Sequence, residues 1–164
     1  MKKILITGAG SYIGTSFEKY MKQWSDKYSI DTVDMIDGSW RDKDFSCYDT
    51  VYHVAGIAHS DSGKISEERS KLYYRVNTDL TIETAKKAKA EGVRQFIFMS
   101  SAIVYGDSAP IGRKKIITKD TPVNPANFFD LDITSDEYAT MVQKVEEASP
   151  AILRPEFSAK VNNK

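Results

Sequence analysis

The stretch ILITGAGSYIG, residues 4–14, runs from a short aliphatic segment directly into three closely spaced glycines. An aliphatic, β-branched run that closes on glycine is typical of a buried strand ending in a tight turn. Apolar residues then recur at helical spacing from residue 12 to residue 24, which predicts a helix immediately after the turn. The stretch therefore predicts a strand, a glycine loop and a helix in succession.

Each glycine of this loop has a physical role if the loop binds a dinucleotide. Gly8 permits the tight turn, Gly10 lets the backbone approach a pyrophosphate, and Gly14 allows close packing of the helix on the strand. Backbone N–H groups at the start of the helix then face the phosphates. The spacing differs from the usual G-x-G-x-x-G, so the loop alone is also compatible with a simple turn.

An acidic residue strengthens the dinucleotide interpretation. Asp34 lies at the end of the second predicted strand, residues 30–35, and 20 residues after Gly14. A carboxylate at this place accepts hydrogen bonds from an adenosine ribose and disfavours a 2′-phosphate. Asp37 is the competing candidate, because strand ends cannot be placed from sequence to better than a few residues.

The rest of the chain alternates between strands and helices. The further elements are strands at 50–54, 95–100 and 151–153, helices at 71–88 and 135–148, and a long loop at 107–127. This alternation predicts an α/β fold with a doubly wound, mostly parallel sheet of the NAD(P)-binding, Rossmann-like type. We expect one domain over residues 1–155 and a polar tail over 156–164. On the helix at 71–88, Glu83 and Lys87 are expected to pair at i,i+4.

Composition excludes several classes of function. The 164 residues carry 23 Lys and Arg against 23 Asp and Glu, which argues against a broad nucleic-acid-binding face or a polybasic membrane anchor. The lone Cys47 excludes a disulfide within the chain and a cysteine-rich metal site. We see no signal peptide and no apolar run that spans a bilayer, so the expected location is the cytoplasm.

The third predicted strand closes on the small residues Val54, Ala55 and Gly56. Small residues at this end of a strand let a ligand lie against the backbone, at the edge where open α/β sheets bind ligands. His53 and His59 form no metal set with a nearby cysteine or carboxylate pair. We expect one ring in or near the sheet and the other in a loop.

The fourth predicted strand ends in Ser100 and Ser101, which places two hydroxyl groups at the same edge of the sheet. Five segments of the chain, taken together, resemble the motifs of a known family. They are TGAGSYIG (7–14), the Asp34 region, HVAG (53–56), VNT (76–78) and SSAIVYG (100–106). The chain is similar to the N-terminal part of the NAD-dependent epimerase/dehydratase group of extended short-chain dehydrogenases/reductases, the UDP-glucose 4-epimerase-like proteins. The resemblance covers residues 1 to about 127.

The resemblance implies NAD as the cofactor and a nucleotide-sugar as a candidate substrate. The residues that it places at the cofactor are Gly8, Gly10, Ser11, Tyr12, Ile13, Gly14, Asp34, Val54, Ala55, Gly56, Asn77 and Ser100. Ser101 is implied as the catalytic hydroxyl that polarises the reacting C–OH or C=O group of the substrate. Asn77 is implied as a buried organiser of the site. Ser11 stands where many relatives carry the middle glycine.

The proton-transfer pair of the family is missing from its expected place. The family phrase is P-x-x-x-Y-G-x-S-K, and this chain has PANFFDLDI at 125–133. Phe129 replaces the tyrosine and Ile133 the lysine, so neither a transferable proton nor a charge remains. Tyr138 and Lys144 are six residues apart and do not share a helix face. The pair is therefore predicted to be absent.

These observations lead to two functional expectations. The first is an NAD-binding domain that is catalytically impaired. The alternative is a structural or self-associating module, forming a homo-oligomer, that keeps the fold without a ligand. The resemblance also predicts that the C-terminal substrate domain is lacking, since the sequence ends at Lys164. A truncated, frameshifted or engineered form fits this pattern, and so does divergence to a non-catalytic role.

Overall fold

A computed structural model of the chain describes residues 1–57, 66–101, 105, 109–118 and 120–122. In 109–118 and 120–122, within the predicted long loop, it contains turns and no helix or strand. Several predictions lie outside the described residues. They are the helix at 135–148, the strand at 151–153, the tail boundary at 155, and the positions of His59, Phe129 and Ile133.

The described elements are four strands and three helices, with short helical turns between them. The strands are β1 (Lys2–Thr7), β2 (Tyr28–Val33), β3 (Thr50–His53) and β4 (Gln95–Phe98). The helices are α1 (Tyr12–Met21), α2 (Glu67–Tyr74) and α3 (Leu80–Ala90). The short turns are the 3₁₀ turns Lys22–Trp24 and Ser39–Arg41 and the π-helical turn Arg75–Asp79.

All the described strands are parallel and pair in the order β2-β1-β3-β4. The chain goes from β1 to β2 on one side and then returns to β3 on the other side of β1. The strand order therefore reverses beside β1. In open α/β sheets, ligands bind in the crevice at the carboxyl ends of the strands that flank such a reversal.

The two faces of the sheet pack against different helices. Ile4 and Ile6 of β1 are buried with Met21 and Phe17 of α1. Leu5 points to the opposite face, where its cluster includes Ala85 of α3. This alternation along a single strand, with helices on both faces, confirms the doubly wound architecture.

Strand β2 begins and ends two residues earlier than the sequence pattern predicted. Its pairing with β1 starts at Lys2 and Tyr28, so Tyr28 and Ser29, which precede the predicted strand, also belong to the sheet. It ends at Val33 because the carbonyl oxygen of Val33 accepts the N–H groups of Gly8 and Ala9. Asp34 consequently follows directly after the strand.

The predicted helix at 71–88 is longer and is interrupted. It starts at Glu67, with the Ser66 side chain accepting a hydrogen bond from the N–H of Arg69 as an N-cap. A π-helical turn, Arg75–Asp79, then separates α2 from α3. Gly92 follows α3 with φ +78°, the left-handed conformation in which glycine commonly ends a helix.

The predicted ion pair between Glu83 and Lys87 is wrong. Glu83 bonds Arg41, which lies in the 3₁₀ turn between β2 and β3. Lys87 pairs with Glu91 instead, one helical turn further on. Lys87 lies four residues from both Glu83 and Glu91, so either glutamate could pair with it. Glu83 bonds Arg41, which comes from a distant part of the chain, and Lys87 pairs with Glu91.

Candidate cofactor-binding site

The glycine loop lies against the end of β3. Gly8 has φ +104°, and a Cβ atom placed on it would lie 2.9 Å from the backbone nitrogen of Ala55. The N–H groups of Gly8 and Ala9 both donate to the Val33 carbonyl, at 2.9 and 3.1 Å. The loop is therefore bound between the ends of β2 and β3, and at Gly8 there is room only for glycine.

The start of α1 presents free donors. Ser11 is the N-cap, and its Oγ accepts a hydrogen bond from the Gly14 N–H at 3.1 Å. The Ser11 N–H itself donates to the Gly8 carbonyl. Of the orphan N–H groups at the helix start, those of Tyr12 and Ile13 have no hydrogen-bond partner among the described residues. These two N–H donors lie at the positive end of the helix dipole, and this arrangement suits the binding of a phosphate.

The other two loop glycines differ in their surroundings. A Cβ atom on Gly14 would lie 2.8 Å from Ser11 Oγ and 3.1 Å from Ile6 Cγ2, so glycine allows α1 to pack on β1. Gly10 has φ +75°, and its Cβ position is open, with nothing within 4 Å among the described residues. The open side of the loop at Gly10 leaves space for a ligand to approach the backbone.

Asp34 and Asp37 have different local partners. Asp34 accepts a hydrogen bond from the Ile36 N–H at 2.7 Å and remains exposed. Asp37 accepts from both the N–H and the hydroxyl of Ser39, and these bonds lower the pKa of its carboxyl. Asp37 thus holds the 3₁₀ turn that follows, whereas Asp34 lies beside the carbonyl that binds the glycine loop.

The residues after β3 line the same edge. Val54 donates its N–H to the Thr7 carbonyl at 3.1 Å, which extends the sheet by one residue. A Cβ atom on Gly56 would come within 3.2 Å of Asn77 Oδ1. Asn77 holds the backbone of Ile57 at both ends, accepting from its N–H at 2.9 Å and donating to its carbonyl at 3.1 Å. The π-helical turn therefore places the Asn77 side chain against the backbone that follows β3.

His53 is completely buried and connects the two sides of this edge. Its Nδ1 lies 2.7 Å from Thr7 Oγ1, and its Nε2 lies 3.0 Å from Thr81 Oγ1. Burial lowers the pKa of the imidazole to about 3, so the ring is neutral at physiological pH. The prediction of one ring in or near the sheet is confirmed for His53, which lies in β3.

The two serines follow β4 at the same end of the sheet. The N–H of Met99 donates to the His53 carbonyl at 3.0 Å, so the pairing of β3 with β4 continues up to the serines. Ser100 is half-buried and Ser101 is exposed. The sheet thus brings the predicted serine hydroxyls to the edge that carries the glycine loop.

Sequence reasoning missed the threonines of this site. Thr7, Thr78 and Thr81 are buried polar residues; Thr7 and Thr78 lie within the quoted motifs without a role being assigned to them, and Thr81 lies in no motif. Within the described part of the chain, no group of His, Cys, Asp and Glu side chains is arranged to hold a metal ion. No described helix has the length and apolar character needed to cross a membrane.

A parallel sheet whose order reverses beside β1, with a glycine loop and a helix start at that point, defines a dinucleotide-binding, Rossmann-like domain. The model of the NAD dependent epimerase/dehydratase family matches residues 4–156. The chain belongs to this family.

Curated relatives agree with the family match. The UDP-glucose 4-epimerase of Vibrio cholerae is 33% identical over an alignment of 127 residues, and the match covers 68% of this chain and 38% of that protein. The UDP-glucose 4-epimerase of Erwinia amylovora is 29% identical over an alignment of 132 residues, and the match covers 66% of this chain and 39% of that protein. The chain spans about two fifths of the length of these relatives.

Solved structures show the same fold. A short-chain dehydrogenase/reductase superfamily protein from Agrobacterium tumefaciens, solved with bound NAD, matches with a TM-score of 0.67 at 19% identity. The match covers 92% of this chain and 48% of that one. A dTDP-4-dehydrorhamnose reductase from Clostridium acetobutylicum matches with a TM-score of 0.66 at 22% identity, covering 92% and 51%.

Proposed function

We propose that this chain binds NAD and acts as the cofactor-binding domain of a protein resembling the nucleotide-sugar epimerases and dehydratases. The observation that carries the proposal is the glycine loop. It leaves the N–H groups of Tyr12 and Ile13 without a partner among the described residues, beside an open approach at Gly10. Asp34, next to this loop, supplies an acceptor for the adenosine ribose.

The residues of this chain have separable tasks in that role. The start of α1 binds the pyrophosphate, while Val54, Ala55 and Gly56 lie along the cofactor. Asn77 keeps the backbone after β3 in place, and Ser100 adds a polar contact at the end of β4. NAD, when bound, supplies a hydride-accepting nicotinamide. Ser101 would polarise the hydroxyl or carbonyl group of a bound nucleotide-sugar.

We further propose that proton transfer is impaired in this chain. The proposal rests on Phe129 and Ile133 at the positions of the family's tyrosine and lysine. A phenyl ring has no proton to exchange, and general acid–base groups contribute about 10²–10⁴-fold to a rate. The competing function is a self-associating module that keeps the fold without a ligand.

Titration of the purified chain with NADH, followed by nicotinamide fluorescence, tests the proposal. We expect saturable binding that is tighter for NADH than for NADPH, and no interconversion of UDP-glucose and UDP-galactose in the presence of NAD. Light scattering of the same sample reports self-association. Absence of binding at millimolar NADH, together with concentration-dependent assembly, would favour the module. NAD-dependent turnover would contradict the impairment.

Paired substitutions separate the two candidate acids. We expect Asp34→Asn to reduce the preference for NADH over NADPH about tenfold, because hydrogen bonds to charged groups contribute about 1.5–3 kcal/mol. Asp37→Asn removes an equal charge from the same loop and is the matched control, with the preference expected to stay unchanged. Comparison of the six dissociation constants, for the wild-type chain and the two variants with each cofactor, provides the measurement. A larger effect of Asp37→Asn would transfer the ribose role to Asp37.

A further inference from the structure

We infer that His53 is a positioning residue for the dinucleotide site, which couples the glycine loop to the turn that carries Asn77. The inference rests on the proposed function for its ligand and on the hydrogen bonds of the imidazole for its mechanism. One ring nitrogen faces the residue before Gly8, and the other faces the helix after Asn77.

The direction of these hydrogen bonds follows by elimination. The Thr81 hydroxyl donates to the Asn77 carbonyl at 2.9 Å, so its single proton is already used. Its oxygen is then available only as an acceptor, and Nε2 of His53 must carry the proton that it accepts. Nδ1 is consequently the bare nitrogen, and the Thr7 hydroxyl donates to it. The Thr81 hydroxyl thus donates to Asn77 and accepts from His53, and the Thr7 hydroxyl donates to His53.

The linked hydrogen bonds from Thr7 through His53 and Thr81 to Asn77 control two contacts of the site. Thr7 immediately precedes Gly8, and His53 lies two residues before Ala55, so the imidazole anchors both sides of the close contact between Gly8 and Ala55. At their other end, these linked hydrogen bonds reach the carbonyl of Asn77, whose side chain holds the backbone of Ile57. A shift of the ring therefore moves the pyrophosphate loop and the backbone after β3 together.

The surroundings of the ring favour a single orientation. Phe96 stacks on it with ring centroids 5.8 Å apart, and Phe98 lies at 6.2 Å. With Phe96 stacked on it and both nitrogens hydrogen-bonded, the neutral ring is held in one orientation.

Helix α3 offers a matched pair of variants for the test. Thr81 and Thr84 are both fully buried, and each hydroxyl donates to the carbonyl four residues earlier, those of Asn77 and Leu80. Only Thr81 also bonds His53. Thr81→Val and Thr84→Val thus remove the same group from the same helix, and they differ in the link to the imidazole.

We expect Thr81→Val to raise the dissociation constant for NADH roughly fivefold, the effect of one hydrogen bond, and Thr84→Val to leave it unchanged. Hydrogen exchange of the Ile57 amide should accelerate in Thr81→Val alone. Nitrogen-15 NMR of the wild-type chain should show His53 protonated at Nε2. Both variants lower overall stability, so the comparison of Thr81→Val with Thr84→Val separates that shared effect from the loss of the link to the imidazole.

The outcomes distinguish the two proposals. If the wild-type chain does not bind NADH, the proposed function fails, and the exchange of Ile57 still tests the positioning role. If NADH binds and the two variants match in affinity and in Ile57 exchange, His53 is only a structural residue. Protonation at Nδ1 in the wild-type chain would overturn the inferred direction of the hydrogen bonds and with it the coupling.

Discussion

Gly8→Ala is expected to weaken NADH binding by at least tenfold and to destabilise the fold. The new Cβ atom would lie 2.9 Å from the nitrogen and 3.0 Å from the Cα of Ala55, and these backbone atoms cannot swing aside. The residue would also keep φ near +104°, which costs a non-glycine residue about 1–3 kcal/mol. Fluorescence titration and urea unfolding measure the two effects.

Gly92→Ala and Gly10→Ala are the controls for this prediction. Gly92 (φ +78°) and Gly10 (φ +75°) have nearly the same backbone conformation, and neither Cβ position has an atom within 4 Å. The two variants should lose similar folding free energy, about 1 kcal/mol. Only Gly10→Ala should weaken NADH binding, because only its Cβ atom enters the proposed pyrophosphate approach. Equal affinity in all three variants would contradict the site.

The folded chain is expected to lose stability steeply in acid because of His53. The pKa of the ring is lowered to about 3 by burial, from an ordinary value of 6.5. Between these values the unfolded chain binds a proton that the folded chain does not, so the free energy of unfolding falls as the pH falls. The slope from this one group is about 1.4 kcal/mol per pH unit, or about 4–5 kcal/mol from pH 6.5 to pH 3.

Urea unfolding at a series of pH values measures this slope, and His53→Asn isolates it. The variant removes the titrating group, so its unfolding free energy should fall less steeply by the stated amount, while acidic groups elsewhere contribute equally to both proteins. Proton NMR of the wild-type ring is a second measurement that does not require the variant to fold. Titration of the His53 signal near pH 6.5 would contradict a buried neutral ring.

Local sequence patterns predicted the parts of the site that depend on near neighbours. Glycine at positions 8 and 10 anticipates their positive φ angles, since L-residues with side chains avoid that region. The run at 4–6 anticipates a strand that is buried on both faces. The strand before Asp34 was placed two residues too late, and Asp34 follows β2 directly where the prediction had put it at the strand's end.

The interrupted helix shows where local patterns stop being informative. The apolar stripe from Leu72 to Ala88 fits an uninterrupted helix, yet the structure inserts a π-helical turn at Arg75–Asp79. Such turns are rare in proteins overall, and those that occur are often found at functional sites. Here the turn brings Asn77 to the backbone of Ile57, 20 residues away in the chain. No spacing in the sequence encodes that contact.

By itself, the sequence determined the alternation of strands and helices, the glycine loop, the acid beside it and the family resemblance. These features depend on backbone preferences and on side chains within a few residues of each other. The tertiary structure decided the partners of His53, the contact of Gly8 with Ala55 and the pairing of Glu83 with Arg41. Those contacts join residues 28–47 positions apart. They exist only because the strand order places β1 beside β3 and α3 over one face of the sheet.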